Sequence, residues 1–208
     1  MYRPASFIET DPSALDALFA RDNFITLVTV RDGVPTVSHL PALYFRDGDR
    51  IELRGHWARP NPQAKHAGPA LAIVHGPHAY VSPSWYPDKE TAARVPTWNY
   101  AVAHLHGQLD TFDDTESLAA LVAALSAQHE AAVGSDWQFE PARDDHRSQL
   151  RGIIGFRLTV ERSEVTFKLN QNHPVANRRA VGDQLDTQPR DDSREIAALM
   201  RERTPAGD

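Results

Sequence analysis

The chain of 208 residues is 41% hydrophobic and 24% charged, enough apolar material for one compact domain held by its own core. It contains no cysteine, which excludes a disulfide framework, a thiolate nucleophile, an iron–sulfur cluster and a cysteine-ligated zinc site. The net charge of −6, with basic residues scattered, argues against a generic nucleic-acid surface, so any DNA contact needs a local patch built by a dimer. No apolar run approaches membrane-spanning length and the N-terminal stretch lacks an apolar signal core, so the expected address is the cytoplasm, with no membrane partner.

In chain order, Asp11-Pro12 opens a short amphipathic helix to about Arg21, with Leu15, Leu18 and Phe19 at helical spacing. The period then shortens. Phe24 to Val30, the turn signal Arg31-Asp32-Gly33 and Val34 to Phe45 predict a β-hairpin. Asp47-Gly48-Asp49 leads into a strand over Arg50 to His56, followed by strands over Ala70 to His75, Ala79 to Ser82 and Asn99 to Asp110. Asp113-x-x-Glu116 reads as a capping box for a helix with the stripe Leu118, Leu121, Val122 and Leu125, stopped by Gly134. Strands over Ile153 to Val160 and Val165 to Leu169 come next. Asp192-x-x-Glu195 starts a terminal helix at about 192–203, carrying Ile196, Leu199 and Met200, and a polar tail follows Met200. Many strands, few helices and tight turns predict a mainly β fold, an antiparallel barrel with peripheral helices in a single domain over 1–208.

Three stretches exceed what connecting loops need: His56 to Gln63, Gly76 to Lys89 with its continuation Val95 to Tyr100, and Lys168 to Pro174. Each sets prolines and aromatic or amide side chains beside hydrogen-bonding groups. Proline fixes the backbone, and tryptophan or tyrosine supplies a broad apolar face with a polar tip. That combination suits a planar ligand with a polar rim, and FMN is such a ligand. Its phosphate needs charged donors, which Arg59 offers, with His56, Asn61 and Lys65 close in sequence. Its ring needs backbone and amide partners, which His39-Leu40-Pro41 or Gln171 and Asn172 can supply. Trp85, Tyr86, Trp98 and Tyr100 read as a pocket wall, beside Ser84 and with Lys168 at the head of the last motif.

The motifs Met1-Tyr-x-Pro, His39-Leu40-Pro41, His56-x-Ala58-Arg59-x-Asn61-Pro62, the string from Gly76 to Tyr86, Val95 to Tyr100 and Lys168-Leu169-x-Gln171-Asn172 resemble, in this order, the PaiB-type FMN-binding transcriptional regulators. The resemblance spans Met1 to about Met200. It implies a flavin-binding split barrel, similar to pyridoxamine-phosphate oxidase and to haem-degrading relatives. It also implies a homodimer with the ligand site at the subunit interface, and a role in negative regulation of transcription. The cofactor-binding residues it implies are His39, Leu40, Pro41, His56, Arg59, Asn61, Ser84, Trp85, Trp98, Lys168, Gln171 and Asn172. The chain departs from the family pattern at Pro60, Ala64 and Asn170.

No catalytic residue is assigned. The Ser82-Pro83-Ser84 run lacks the Gly-x-Ser-x-Gly elbow of a hydrolase, and no glycine-rich phosphate loop is present. His104-x-His106 places two imidazoles on one strand face without an acidic third ligand nearby in sequence, so they read as packed strand histidines and no metal is assigned. The reading is a flavin-linked regulator or sensor. The alternative is a flavin-dependent oxidoreductase acting on a small molecule, with a haem-binding split barrel third. The expected dimer interface involves the Trp85 and Trp98 segments. Arg59→Ala is expected to weaken FMN binding about tenfold to a hundredfold with the melting temperature of the ligand-free protein nearly unchanged.

Overall fold

The computed structural model describes residues 1–204; the last four residues of the polar tail, 205–208, lie outside them. Eight strands form one sheet: β1 (Ile8–Glu9), β2 (Phe24–Arg31), β3 (Val34–Pro41), β4 (Leu43–Asp47), β5 (Arg50–Ala58), β6 (Gly68–Val81), β7 (Thr97–Phe112) and β8 (Ile153–Lys168). Their order is β3-β2-β6-β7-β8-β5-β4, with β1 on β8, so β3 and β4 are the edges of the path. Five helices accompany it: α1 (Pro12–Arg21), α2 (Thr115–Val133), α3 (Asp144–Gln149), α4 (Val175–Asp186) and α5 (Asp191–Glu202). None is long and apolar enough to cross a membrane.

The chain divides into two compact units. One holds residues 1–21, 75–103 and 164–208; the other holds residues 22–74 and 104–163. Strands β6, β7 and β8 contribute residues to both, which is why they are longer than the sequence pattern suggests. Gly76-Pro77 reads as a break, yet β6 continues through it. A Cβ on Gly76 would stand 2.6 Å from Leu18 Cδ2 and 2.8 Å from the Ala101 carbonyl oxygen, so glycine here serves close approach rather than a turn.

In the unit of residues 22–74 and 104–163, the β2–β3 hairpin turns on Asp32 and Gly33, both with positive φ (52° and 76°). Alternation places Ile25, Leu27 and Thr29 inside and leaves Phe24, Val28 and Val30 outside. Leu53, Gly55 and Trp57 of β5 face the interior, where the Trp57 and Phe156 rings lie 4.9 Å apart. Gly55 has no room for a side chain, since a Cβ would meet the Phe156 ring at 2.6 Å. Helix α2 is capped by Asp114, which accepts from the Ser117 amide at 2.8 Å, not by Asp113 as its spacing to Glu116 suggests. The shift releases the Asp113 carboxylate for another partner. Leu118, Leu121 and Leu125 are buried as the stripe predicts, and Gly134 ends the helix in the left-handed region.

In the unit of residues 1–21, 75–103 and 164–208, α1 is capped by Asp11, whose carboxylate accepts from the Ser13 amide, and it buries Leu15, Leu18 and Phe19. Helix α5 begins one residue before the expected start, without a side-chain cap. Asp192 instead accepts from Arg21 Nη2 at 2.6 Å and meets His78 Nδ1 at 3.2 Å. Helix α4 has no counterpart in the sequence reading. Its twelve residues bury Asn177, Arg178, Val181, Gly182 and Leu185, a stripe too polar to register as apolar periodicity.

Candidate functional site

The sequence-predicted residues fall into two groups, one in each unit. His39, Leu40, Pro41, His56, Arg59 and Asn61 belong to residues 22–74; Ser84, Trp85, Trp98, Lys168, Gln171 and Asn172 belong to the other unit.

In the first group, β3 is an edge strand, so its outer N–H and C=O groups are open to a ligand. His39 is exposed and its Nδ1 pairs with Thr26 Oγ1 at 3.0 Å; Leu40 is buried and Pro41 half-buried. The Pro41 carbonyl lies 2.8 Å from where a Gly55 Cβ would be, which brings the end of β3 against β5. His56, one residue on, points to the opposite face of β5, and its Nδ1 is buried with no partner among the described residues. Burial pushes the His56 imidazole below its usual value of 6.5.

Arg59 begins the turn after β5. Its Nε donates to the Arg151 carbonyl at 2.7 Å and Nη2 to the Ile153 carbonyl at 3.1 Å, while Nη1 stands 3.4 Å from the released Asp113 carboxylate. Three carbonyl or carboxylate partners leave only the outer edge of the guanidinium for a ligand. Arg59 lines a cavity of about 680 Å³, together with Arg147, Arg151, Asp113, Asp144, Ser148, Leu118 and Leu150. The guanidiniums of Arg147 and Arg151 have no partner among the described residues. The sequence reading missed both; the signal was present in the arginine-rich run Arg143 to Arg151. Asn61 is committed to local structure. Its Oδ1 accepts from the Gln63 amide at 2.9 Å, and its Nδ2 donates to Ser38 Oγ at 3.1 Å. Lys65 is exposed and has no partner among the described residues.

Gln63, also missed, is fully buried. Its Oε1 accepts from Trp57 Nε1 at 3.1 Å, and its Nε2 donates to the Leu27 carbonyl, Thr29 Oγ1 and the Thr36 carbonyl at 3.1, 3.1 and 2.9 Å. It ties the turn that carries Asn61 to β2 and β3. Next to it, His66 Nδ1 pairs with Thr29 Oγ1 at 2.7 Å.

In the second group, Ser84 and Ser82 share a hydroxyl–hydroxyl bond of 2.8 Å, and Trp85 is half-buried. Trp98 is exposed, with the Tyr80 ring edge-on at 5.9 Å. Lys168 Nζ donates to Thr97 Oγ1, and burial lowers its amine from the usual value. Both ends of the Gln171 amide are spent on its own loop, on the Phe167 carbonyl and the Leu169 amide, and Asn172 is exposed. Asn170, where the family pattern has serine, adopts φ 59° and donates to the buried Tyr86 hydroxyl at 2.9 Å, so its side chain has a structural task. The Tyr86 ring stacks on His173 at 4.9 Å. The Arg94 guanidinium, with Asn177 behind it, holds the neighbouring Asp88 carboxyl down to about 2.

The half-buried imidazoles of His56 and His173 carry a pH dependence. Burial lowers His56 and, with a smaller repulsion from Arg94, His173 below the usual 6.5. The unfolded chain therefore binds these protons more readily than the folded one. Stability is full above about pH 6.5 and falls as the pH drops towards the folded-state values. Urea unfolding at about pH 5.5 should give a lower midpoint than at about pH 7.5, and His56→Gln should shrink the difference. An undiminished difference in that variant would assign the acid sensitivity to other groups.

The residues present fit a flavin: the Arg59 guanidinium at a polar cavity for the phosphate, the His56 Nδ1 without a partner among the described residues, and the open edge of β3 for the ring. Residues 1–162 match the family model described as "Putative FMN-binding domain". Protease synthase and sporulation protein PAI 2 of Bacillus subtilis is 29% identical over 98% of this chain and 98% of its own, and the Emericella nidulans protein AN0679 is 30% identical over 98% and 97%. Among solved structures, the FAD and heme binding protein from Mycobacterium smegmatis has a TM-score of 0.51 at 18% identity, covering 77% of this chain and 72% of that one. The flavocytochrome Anf3 from Azotobacter vinelandii has a TM-score of 0.54 at 15% identity, covering 80% and 72%. The fold is the antiparallel split barrel that the sequence resemblance implies. With a family match spanning the whole of the β5 site and most of the sheet, the chain belongs to this FMN-binding domain family.

Proposed function

We propose that the protein is a cytoplasmic, homodimeric flavin-linked regulator or sensor that holds the FMN phosphate at the end of β5, on the outer edge of Arg59. The observation that carries this reading is that Arg59, fixed at the end of β5 by the Arg151 and Ile153 carbonyls, lines a cavity of about 680 Å³. Phosphate is strongly hydrated and enters a protein only where charge-assisted donors replace its water. In a chain of net charge −6 such a concentration has to be local. When bound, FMN supplies a ring that takes up and gives back electrons. The residues of this chain bind and orient it: Arg59 at the phosphate, and the open edge of β3 at His39-Leu40-Pro41 for the ring. Ser84, Trp85, Trp98, Lys168 and Asn172, which belong to the other unit, are proposed as ligand contacts of that unit by itself.

Two exposed apolar patches support pairing with a second copy. Phe24 (52% exposed), Val30 (63%) and Val37 (49%) share the outer face of the β2–β3 hairpin, and Trp98 (47%) lies beside Tyr80 (45%). A permanent dimer covering them buries on the order of 2,000 Å² or more. A stable monomer in light scattering at micromolar concentration would end that part of the reading. The name of the Bacillus subtilis relative, a sporulation protein, supports a regulatory role, and a salt-sensitive DNA shift by the dimer tests it.

Arg59→Ala should weaken FMN binding about tenfold to a hundredfold, the loss of a charge-assisted hydrogen bond. The ligand-free variant should also melt lower, by a few degrees, because Arg59 ties the end of β5 to the Arg151 and Ile153 carbonyls. This differs from the sequence-based expectation of an unchanged melting temperature. Titration of folded wild type and variant with FMN, followed by flavin fluorescence, reads the affinity directly. Equal affinities would remove Arg59 from the site.

A further inference from the structure

The cavity beside Arg59 is larger and more basic than one phosphate needs. We propose that it is a subsite for the adenylate diphosphate half of a dinucleotide, built by Arg147, Arg151 and Asp144. The proposal rests on the FMN reading only in giving Arg59 to the flavin phosphate.

Its volume of about 680 Å³ lies within the range that holds a whole small ligand, about 300–1,000 Å³. Of its lining residues, Leu118 and Leu150 are buried and apolar, as the face of a purine requires. Arg147 and Arg151 are exposed guanidiniums without partners among the described residues, in a chain whose Arg21, Arg54, Arg94, Arg143 and Arg194 each meet a carboxylate. Two carbonyls fix Arg59, so it presents one edge and serves one phosphate. A diphosphate spreads its charge over two groups, and the second falls to Arg147 and Arg151. The cavity also contains two carboxylates, which count against a bare polyanion. Asp113 is neutralised by Arg59, and Asp144 has no partner among the described residues. A free carboxylate in a basic cavity suits a ligand that joins phosphate to a hydroxyl pair, as ribose does.

The adenylate has two sources: FAD binding in place of FMN, or a nicotinamide dinucleotide docking on the FMN-loaded protein. ADP, the shared fragment, is the probe, titrated calorimetrically into flavin-free and FMN-loaded protein. ADP should bind, and the double variant Arg147→Ala/Arg151→Ala should lose about tenfold to a hundredfold of that affinity while FMN affinity changes less than about threefold. Asp144→Asn should weaken ADP more than inorganic pyrophosphate. The variants should melt like wild type, since none of these side chains has a partner among the described residues to lose. If FAD is the source, FAD binds flavin-free protein at least about tenfold tighter than FMN. If a nicotinamide dinucleotide is, ADP binds FMN-loaded and flavin-free protein alike. Absence of ADP binding overturns the subsite. Equal weakening of FMN and ADP in the double variant also overturns it, making both arginines part of the FMN phosphate seat. ADP binding without flavin binding keeps the subsite and removes the FMN reading instead.

Discussion

Replacing Gln63 with leucine should lower the unfolding free energy by about 3–4 kcal/mol and the melting temperature by on the order of 10 °C. Leucine has similar bulk, so the loss comes from hydrogen bonding and not from a cavity. It strands the Trp57 indole N–H, which is buried and, among the described residues, has only Gln63 Oε1 as its partner. It also removes the amide shared among the Leu27 carbonyl, Thr29 Oγ1 and the Thr36 carbonyl. Each buried polar group left unpaired costs about 1–3 kcal/mol, and the groups stranded here add up to the expected loss. Because the same amide fixes the turn carrying Asn61, FMN affinity should fall with stability. A melting point within about 2 °C of wild type would show that water replaces the amide and that the network contributes little.

Gly107→Ala should be as damaging, by about 3 kcal/mol or more, for a steric reason. A Cβ there would stand 2.0 Å from the Thr159 carbonyl oxygen and 2.9 Å from the Val160 Cα. These are backbone atoms of the adjacent strand, which cannot rotate away, so the loss lies at the upper end of overpacking costs. Gly182→Ala in α4 is the matched control. Nothing lies within 4 Å of its added methyl group, and alanine is the better helix former by up to about 1 kcal/mol. Thermal melts of the two variants should move in opposite directions, and a Gly107→Ala protein as stable as wild type would contradict the close packing of β7 against β8.

The strands and the hairpin were legible because alternation and turn chemistry are local: Asp32-Gly33 can hardly be anything but a two-residue turn. Arg59 was legible as a special residue through its company of histidine, alanine and prolines. Its partners were not. The Arg151 and Ile153 carbonyls lie more than ninety residues along the chain, and nothing local to Arg59 points to them. Asp113 looked like a cap and became an ion-pair partner because Asp114 took the capping position, a one-residue ambiguity that spacing cannot resolve. Gln63 and α4 escaped for a common reason. Buried polar residues are recognised by their partners, and hydropathy alone treats them as surface.

Strands β6, β7 and β8 each leave one compact unit and enter the other, and β1 at Ile8 and Glu9 pairs with Thr166 and Val165. The order of synthesis therefore cannot be the order of folding. When the ribosome has released the hairpin of β2 and β3, neither unit is complete, and each still waits for its part of β8. Until β8 is made, β7 and β5 each lack the partner strand that lies between them. Such long-range pairing folds slowly. A premature stop anywhere before β8 should yield no folded fragment from either unit.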